Sequence, residues 1–330
     1  MAIPAMRIAA PEPGRSPSDE GLHPHAPGLA SWSESFFWDF CDLEGQTGGH
    51  CRLSLHPVEE RAWLWLLLQR GDEWVLIEEP RLPITALAAR LFGLSFAWDP
   101  HEPLHAGVLR VEGVGRAGAG PRASRLLSLG AELALRGLGP LHSPPGSRVQ
   151  GSDGAAYEAT HYEQAAAYSG RVRIGDVDWR FDGFGHREHS WGPRGYRHEW
   201  DLLTLHAPDR HWRLSATAVA GAGRFETGTL QSDQLHAVSS LELDLQPCGD
   251  GLTSWSGSVS ARAADGSELA GELEEISAAE IDHSHAPEVP AHSLLRRALV
   301  RLHPKRSLRR RKSAAAPPLV GWLETHRVLA

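Results

Sequence analysis

Two segments between Tyr162 and Gly192 hold the residues best suited to chemistry. Tyr162-Glu163-Gln164 comes first, and Gly183-Phe184-Gly185-His186-Arg187-Glu188-His189-Ser190-Trp191-Gly192 follows. Carboxylates, imidazoles and a guanidinium beside an indole are the parts of general acid–base catalysis, with His the usual carrier because its proton leaves near neutral pH. The same parts can instead pin a buried turn through an Arg–Glu pair, since neither charge is tolerable alone in a core. On extended backbone Arg187, His189 and Trp191 share one face, and His186, Glu188 and Ser190 share the other. If the first face points inward, a cation, an imidazole and an aromatic wall converge. Glu163 from a neighbouring strand, or Glu188, then supplies the compensating carboxylate for a buried Arg187.

The elements that must position these residues read as strands. Arg171–Ile174 and Asp178–Phe181 alternate about Gly175-Asp176 as a hairpin, and the charged cluster sits where that hairpin hands over to the next strand. Gly183 and Gly185 suggest a turn or bulge beside it. Trp32–Phe40, Cys51–His56, Arg61–Gln69 and Glu73–Glu78 read as strands, with Arg70-Gly71-Asp72 as a hairpin turn. Ile84–Phe92 reads as a helical turn, and alternating runs continue to Leu319–Val328. Many strands with polar turns mean an all-β sandwich or barrel. Residues 1–30, rich in Pro, Gly and Ala, read as a disordered tail. The Gly/Pro-rich stretch 137–146 divides an N-terminal domain (31–145) from a C-terminal one (146–330).

One segment breaks the rhythm. Leu294, Leu295, Ala298, Leu299 and Leu302 fall at helical spacing among Arg296, Arg297 and Arg301, and Lys305–Lys312 adds six more cations. This predicts a basic helical insert over 292–313. It is either a solvated loop or an attachment to an anionic membrane surface through Arg296–Lys312. Residues 292–313 carry nine Lys/Arg and no acid, so a net charge of −8 leaves −17 on the rest. An acidic body excludes general nucleic-acid binding. Three Cys without metal-type spacing, no apolar leader and no apolar run longer than Ala62–Leu68 point to a cytoplasmic protein, peripheral on membranes if the insert docks there.

Twelve Trp against four Tyr, many in alternating runs, suggest aromatic walls that either pack the core or line a cavity for an apolar small molecule. Trp179, Trp200 and Trp212, with Glu163 and Arg187, are the candidate ligand-binding residues. His186 and His189, followed by His198, His206 and His211, lack a metal-site template, and no metal or cofactor is assigned. Gly113–Gly118 formally fits a dinucleotide fingerprint but has neither the following helix nor the distant acid.

Tyr162-Glu163-Gln164 and Gly183-x-Gly185-x-Arg187-x-His189-Ser190-Trp191-Gly192, with the Trp32–Phe40 opening and Gly321-Trp322-Leu323-Glu324, resemble the uncharacterised bacterial proteins grouped with carotenoid 1,2-hydratase (hydroxyneurosporene synthase). That superfamily includes survival-factor proteins implicated in ceramide transfer. The resemblance covers roughly residues 30–330 and implies two consecutive lipocalin-like β-barrels. It further implies binding or transfer of an isoprenoid or lipid-like molecule, or acid–base hydration of an isoprenoid alkene. In the hydratase branch a His and a Trp of this motif act with a Tyr and an Asp. His189 and Trp191 match, Tyr196 and Asp201 are the available partners, and Glu188 stands where the family carries Asp.

Overall fold

In the computed structural model the described residues are 15–25, 32–83, 86–91, 93–119, 122–143, 148–150, 156–193, 199–207, 213–220, 225–231, 235–248, 254–282, 293–305 and 318–328. Alternating apolar positions produce strands almost throughout. The first half comprises β1 (Trp32–Cys41), β2 (Thr47–His56), β3 (Arg61–Arg70), β4 (Glu73–Leu82), β5 (Ala88–Leu91), β6 (Leu94–Glu102), β7 (Ala106–Ala119) and β8 (Arg122–Gly137). A small pair follows, β9 (Arg148–Gln150) with β10 (Ala156–Glu158), then β11 (Thr160–Ile174) and β12 (Val177–Pro193). The second half comprises β13 (Glu199–His206), β14 (Arg213–Ala220), β15 (Phe225–Gln231), β16 (Leu235–Cys248), β17 (Ser254–Ala263), β18 (Glu268–Asp282), β19 (Ser293–Pro304) and β20 (Leu319–Val328).

The first sheet runs β4-β3-β2-β1-β12-β11-β8-β7-β6-β5, and a further β4–β7 pairing folds it round on itself. Strands β13 to β20 close a second barrel in sequence order. The two-barrel, all-β expectation therefore stands. The chain changes sheets between Pro193 and Glu199, however, and not at the Gly/Pro stretch near 145. β11 and β12 complete the first sheet because β12 pairs with β1 over the full length of β1, Trp32 opposite Pro193 to Cys41 opposite Phe184. The candidate motif thus belongs to the first barrel.

The hairpin at Gly175 forms as expected, with φ +57° at that glycine. Gly183 and Gly185 make no turn or bulge; they lie inside the 17-residue strand β12. Their role is close approach, since a Cβ on Gly185 would lie 1.8 Å from the Asp39 carbonyl oxygen, and one on Gly183 2.2 Å from that of Cys41. Gly185→Ala should therefore force β1 and β12 apart and cost about 1–3 kcal/mol. A lowered denaturant midpoint with unchanged slope would register it, and an unchanged midpoint would refute it.

The expected basic helix is strand β19. Its apolar run suits either element, because a short stretch buried on both faces carries no decisive period. Ala298, Val300 and Leu302 fill the second barrel, whereas Leu295 and Leu299 pack outward with Ile281, Trp63, Trp65, Trp74 and Trp322. Trp63, Trp65, Trp74 and Trp322 thus weld barrel to barrel, while Trp38 and Trp98 pack the first core. Arg296 and Arg297 are buried in that assembly and lost to any lipid surface, while residues 306–312 lie outside the described ones. The helical turn expected over 84–92 contains strand β5, which pairs with β6. Among the described residues no helix is long and apolar enough to cross a membrane.

Candidate active site

β12 begins with one solvent-exposed face and from Gly183 onward is buried on both, because the second barrel packs across its outer side. The period-2 alternation read from the sequence then sorts the motif. Arg187, His189 and Trp191 face the end of the first barrel, and His186 turns to the inter-barrel side.

On the inner side His189 is 2% exposed and lies opposite Phe36 in register. Its Nδ1 donates to the Asp19 carbonyl oxygen at 2.8 Å, which fixes the tautomer and turns Nε2 toward Glu34 Oε1 at 3.0 Å. Phe36 stacks on the ring at 3.9 Å between centroids, Tyr162 meets it edge-on at 5.6 Å, and Trp191 stands 5.0 Å away. His23 Nδ1 lies 2.8 Å from the same Glu34 oxygen, and the His23 ring stacks on Trp191 at 3.8 Å. Burial holds His189 below the ordinary imidazole range, even though Glu34 pulls the other way. Burial alone would raise Glu34, but hydrogen bonds from His189 and His23 outweigh it and leave that carboxyl low.

Arg187 is buried and paired, as expected, but with neither Glu163 nor Glu188. Its Nη1 donates to both oxygens of Glu20 at 3.0 Å, and Nε donates to Gln164 Oε1 at 3.0 Å. Glu20 belongs to the stretch expected to be disordered. Residues 15–25 instead form a strap across the barrel mouth, built on a 3₁₀ turn (Pro17–Glu20). Ser16 caps that turn, and its own amide donates to the Asp19 carboxylate. Glu20 also accepts from the Leu104 amide at 2.7 Å, and Arg15 donates to Ser143 and to the His161 carbonyl while covering Trp191. Residues 1–14 and 26–30 of the expected tail lie outside the described residues.

Glu163 works on the other side of the sheet. It holds His186 Nε2 at 3.0 Å and accepts from Ser215 Oγ at 3.0 Å, in a small cleft of about 30 Å³ also lined by His142, His206 and Arg213. Burial would lower His186, but the hydrogen bond and charge of Glu163 raise it above the ordinary value. Glu188 is half-buried on this side and acts electrostatically on His186 and Arg297.

The remaining candidates among the described residues do not join His189. Trp179 packs against the first core beneath Arg70, whose guanidinium lies 4.8 Å from its ring. Trp200 donates its indole N–H to Glu324 at 2.6 Å and stacks on His326, and Asp201 pairs with Arg327 at 2.7 Å, all in the second barrel. Tyr196 and Trp212, like His198 and His211, lie outside the described residues. His186 and His189 form no metal pair because they point to opposite faces. Among the described residues the group with metal-like spacing is His23, Glu34 and His189. Glu34 had a legible signal, an acid in phase with Phe36, Trp38 and Phe40 on the apolar face of β1. His23 and Glu20 had none beyond the Ser16–Asp19 capping pattern.

Fold and site together define a two-barrel, lipocalin-like all-β protein with a buried His–carboxylate centre under an N-terminal strap. The chain belongs to the family described as a domain of unknown function, DUF7064, which it matches over residues 16–304. The structure is similar to that of an AttH-like protein of Nitrosomonas europaea, with TM-score 0.63 and 12% identity over 97% of this chain and 100% of that one. CghA in complex with Sch210972 gives a TM-score of 0.53 at 12% identity, covering 94% of each chain. Kievitone hydratase of Nectria haematococca gives 0.51 at 10% identity, over 92% and 93%. No curated protein matches the sequence. These likenesses establish the fold, which a hydratase shares.

Proposed function

We propose that the chain is an acid–base catalyst that adds water to, or removes it from, an apolar substrate bearing a carbon–carbon double bond, with His189 as the proton carrier. The observation that carries this reading is the His189 ring, buried between the Asp19 carbonyl and the Glu34 carboxylate inside an aromatic box of Phe36, Tyr162 and Trp191. With Nδ1–H committed to Asp19, Nε2 and Glu34 are the atoms that take up and deliver one further proton. That proton passes to an alkene carbon, and the ring faces around it stabilise the cationic carbon that forms. Water adds to that carbon and returns a proton to the His189–Glu34 pair, so the cycle closes without a cofactor. The fold shared with kievitone hydratase supports this class of reaction.

Entry to the centre passes the strap, where His23 and Trp191 are half-buried. Isoprenoid alkenes assayed in ¹⁸O-labelled water should yield labelled alcohol. His189→Gln should lower turnover about a hundredfold. Turnover unchanged in that variant would sink the assignment of His189.

A second reading, binding or transfer of an isoprenoid, fatty acid or other lipid-like molecule, is favoured by the separate apolar cluster of Leu104, Leu141 and Tyr162 with Trp191 beside the centre. Quenching of Trp fluorescence by such ligands, without conversion and insensitive to His189→Gln, would select it.

A further inference from the structure

We infer that His23, Glu34 and His189 form a binding site for a divalent transition metal of the zinc class. Their ligand atoms all lie within 4.8 Å of one another, with Glu34 Oε1 2.8 Å from His23 Nδ1 and 3.0 Å from His189 Nε2. A tetrahedral ion with bonds of about 2.0–2.2 Å needs donors roughly 3.3–3.6 Å apart, so the two close pairs open by about 0.3–0.8 Å to admit one. Two imidazoles and one carboxylate suit Zn²⁺, Co²⁺ or Fe²⁺, not the oxygen-seeking Mg²⁺ and Ca²⁺. Three protein ligands leave a fourth position for water.

The surroundings are those a metal site needs. A ligating imidazole is generally oriented by a hydrogen bond from its other ring nitrogen. His189 Nδ1 donates to the Asp19 carbonyl at 2.8 Å, and His23 Nε2 lies 3.9 Å from the Asp19 carboxylate. One residue of the strap therefore orients the His189 ring and sets its carboxylate beside His23. Stacking on Phe36 and Trp191 fixes the ring planes, and the His23 amide donates to both Glu34 oxygens at 2.9 and 3.1 Å. Two imidazole nitrogens converge on one carboxylate oxygen, and a metal ion among them would satisfy all three donors at once.

This inference goes beyond the acid–base reading and stands on the donor geometry alone. A bound ion takes the His189 lone pair that proton transfer uses and clamps the strap through His23, so the loaded protein is the held-off form of the centre. The full chain, stripped with a chelator, should take up one Co²⁺ per molecule with the visible absorption of a four-coordinate site, and Zn²⁺ should displace it. Loss of an outer-shell partner alone costs about 10–100-fold in affinity, so Glu34→Gln and His23→Ala should each weaken binding by at least about 100-fold. His303→Ala, on the exposed surface, should leave it unchanged. His23 lies on the half-buried strap, so circular dichroism of His23→Ala should match wild type and keep the test interpretable if Glu34→Gln fails to fold. Absence of sub-millimolar Co²⁺ or Zn²⁺ binding, or wild-type affinity in His23→Ala, would overturn the site. Alkene turnover by the metal-free protein tests the acid–base reading separately.

Discussion

Replacing Arg187 by Met should destabilise the first barrel by about 3–5 kcal/mol, because it strands a buried carboxylate. Arg187 and Glu20 are each 3% exposed and joined by two 3.0 Å contacts. Burial would raise Glu20, but the charge of Arg187 and the hydrogen bonds from Arg187 and the Leu104 amide hold it below the ordinary 4.5. A carboxyl depressed in the folded state contributes stability above its ordinary value and loses it as the pH falls through the lower, folded value. Glu34 and Glu163 are depressed too, so wild-type stability should decline through the acid range below about pH 4.5. Glu20→Gln should flatten part of that decline. At neutral pH Arg187→Met should lower the thermal midpoint by roughly 10 °C, at about 2–4 °C per kcal/mol for a domain of this size. Glu20→Gln/Arg187→Met should recover part of the loss, because no charge is then left unpaired. An unchanged midpoint in Arg187→Met would show that the Arg187–Glu20 pair contributes nothing to the fold.

Arg297→Met should have a comparable effect on the join between the barrels. The Arg297 guanidinium is fully buried, 3.2 Å from Glu324 and 3.8 Å from Asp39, donates to His50 Nδ1 at 2.6 Å and lies over Phe37 at 4.8 Å. Asp39, on β1, also accepts from Thr204 Oγ1 on β13 at 2.9 Å and from the His186 amide at 2.8 Å. One cation thus serves a carboxylate from each barrel. Burial raises Asp39 and lowers Arg297, so both charges persist only through each other and their neighbours. Losing the cation should cost about 3–5 kcal/mol and lower the unfolding midpoint accordingly. The coupling energy between Arg297→Met and Glu324→Gln in a double-mutant cycle should exceed about 1 kcal/mol. A cycle that closes to within a few tenths of a kcal/mol would refute the pairing.

The sequence by itself determined a large part of this protein. Alternation of apolar residues, Gly175 and Gly71 at hairpin turns, and the clustering of Glu163, Arg187 and His189 are local properties. They foretold strands in a sandwich or barrel and the face on which His189 and Trp191 stand together, while the two consecutive barrels were implied by the family resemblance. Side-chain period on a strand is fixed by the pleat, so no tertiary knowledge was needed. What pairs with what was decided only by the tertiary structure. Arg187 meets Glu20, 167 residues away, because the strap folds over the barrel mouth. Glu163 serves His186, because β11 and β12 present their side chains to both sides of the sheet. β19 is a strand because its outward face meets the Trp63–Trp65–Trp322 wall of the inter-barrel join. A run buried on both sides carries no period of its own, and an isolated charge carries no record of its partner. Burial and pairing are settled where the chain closes on itself, through contacts that no local spacing encodes.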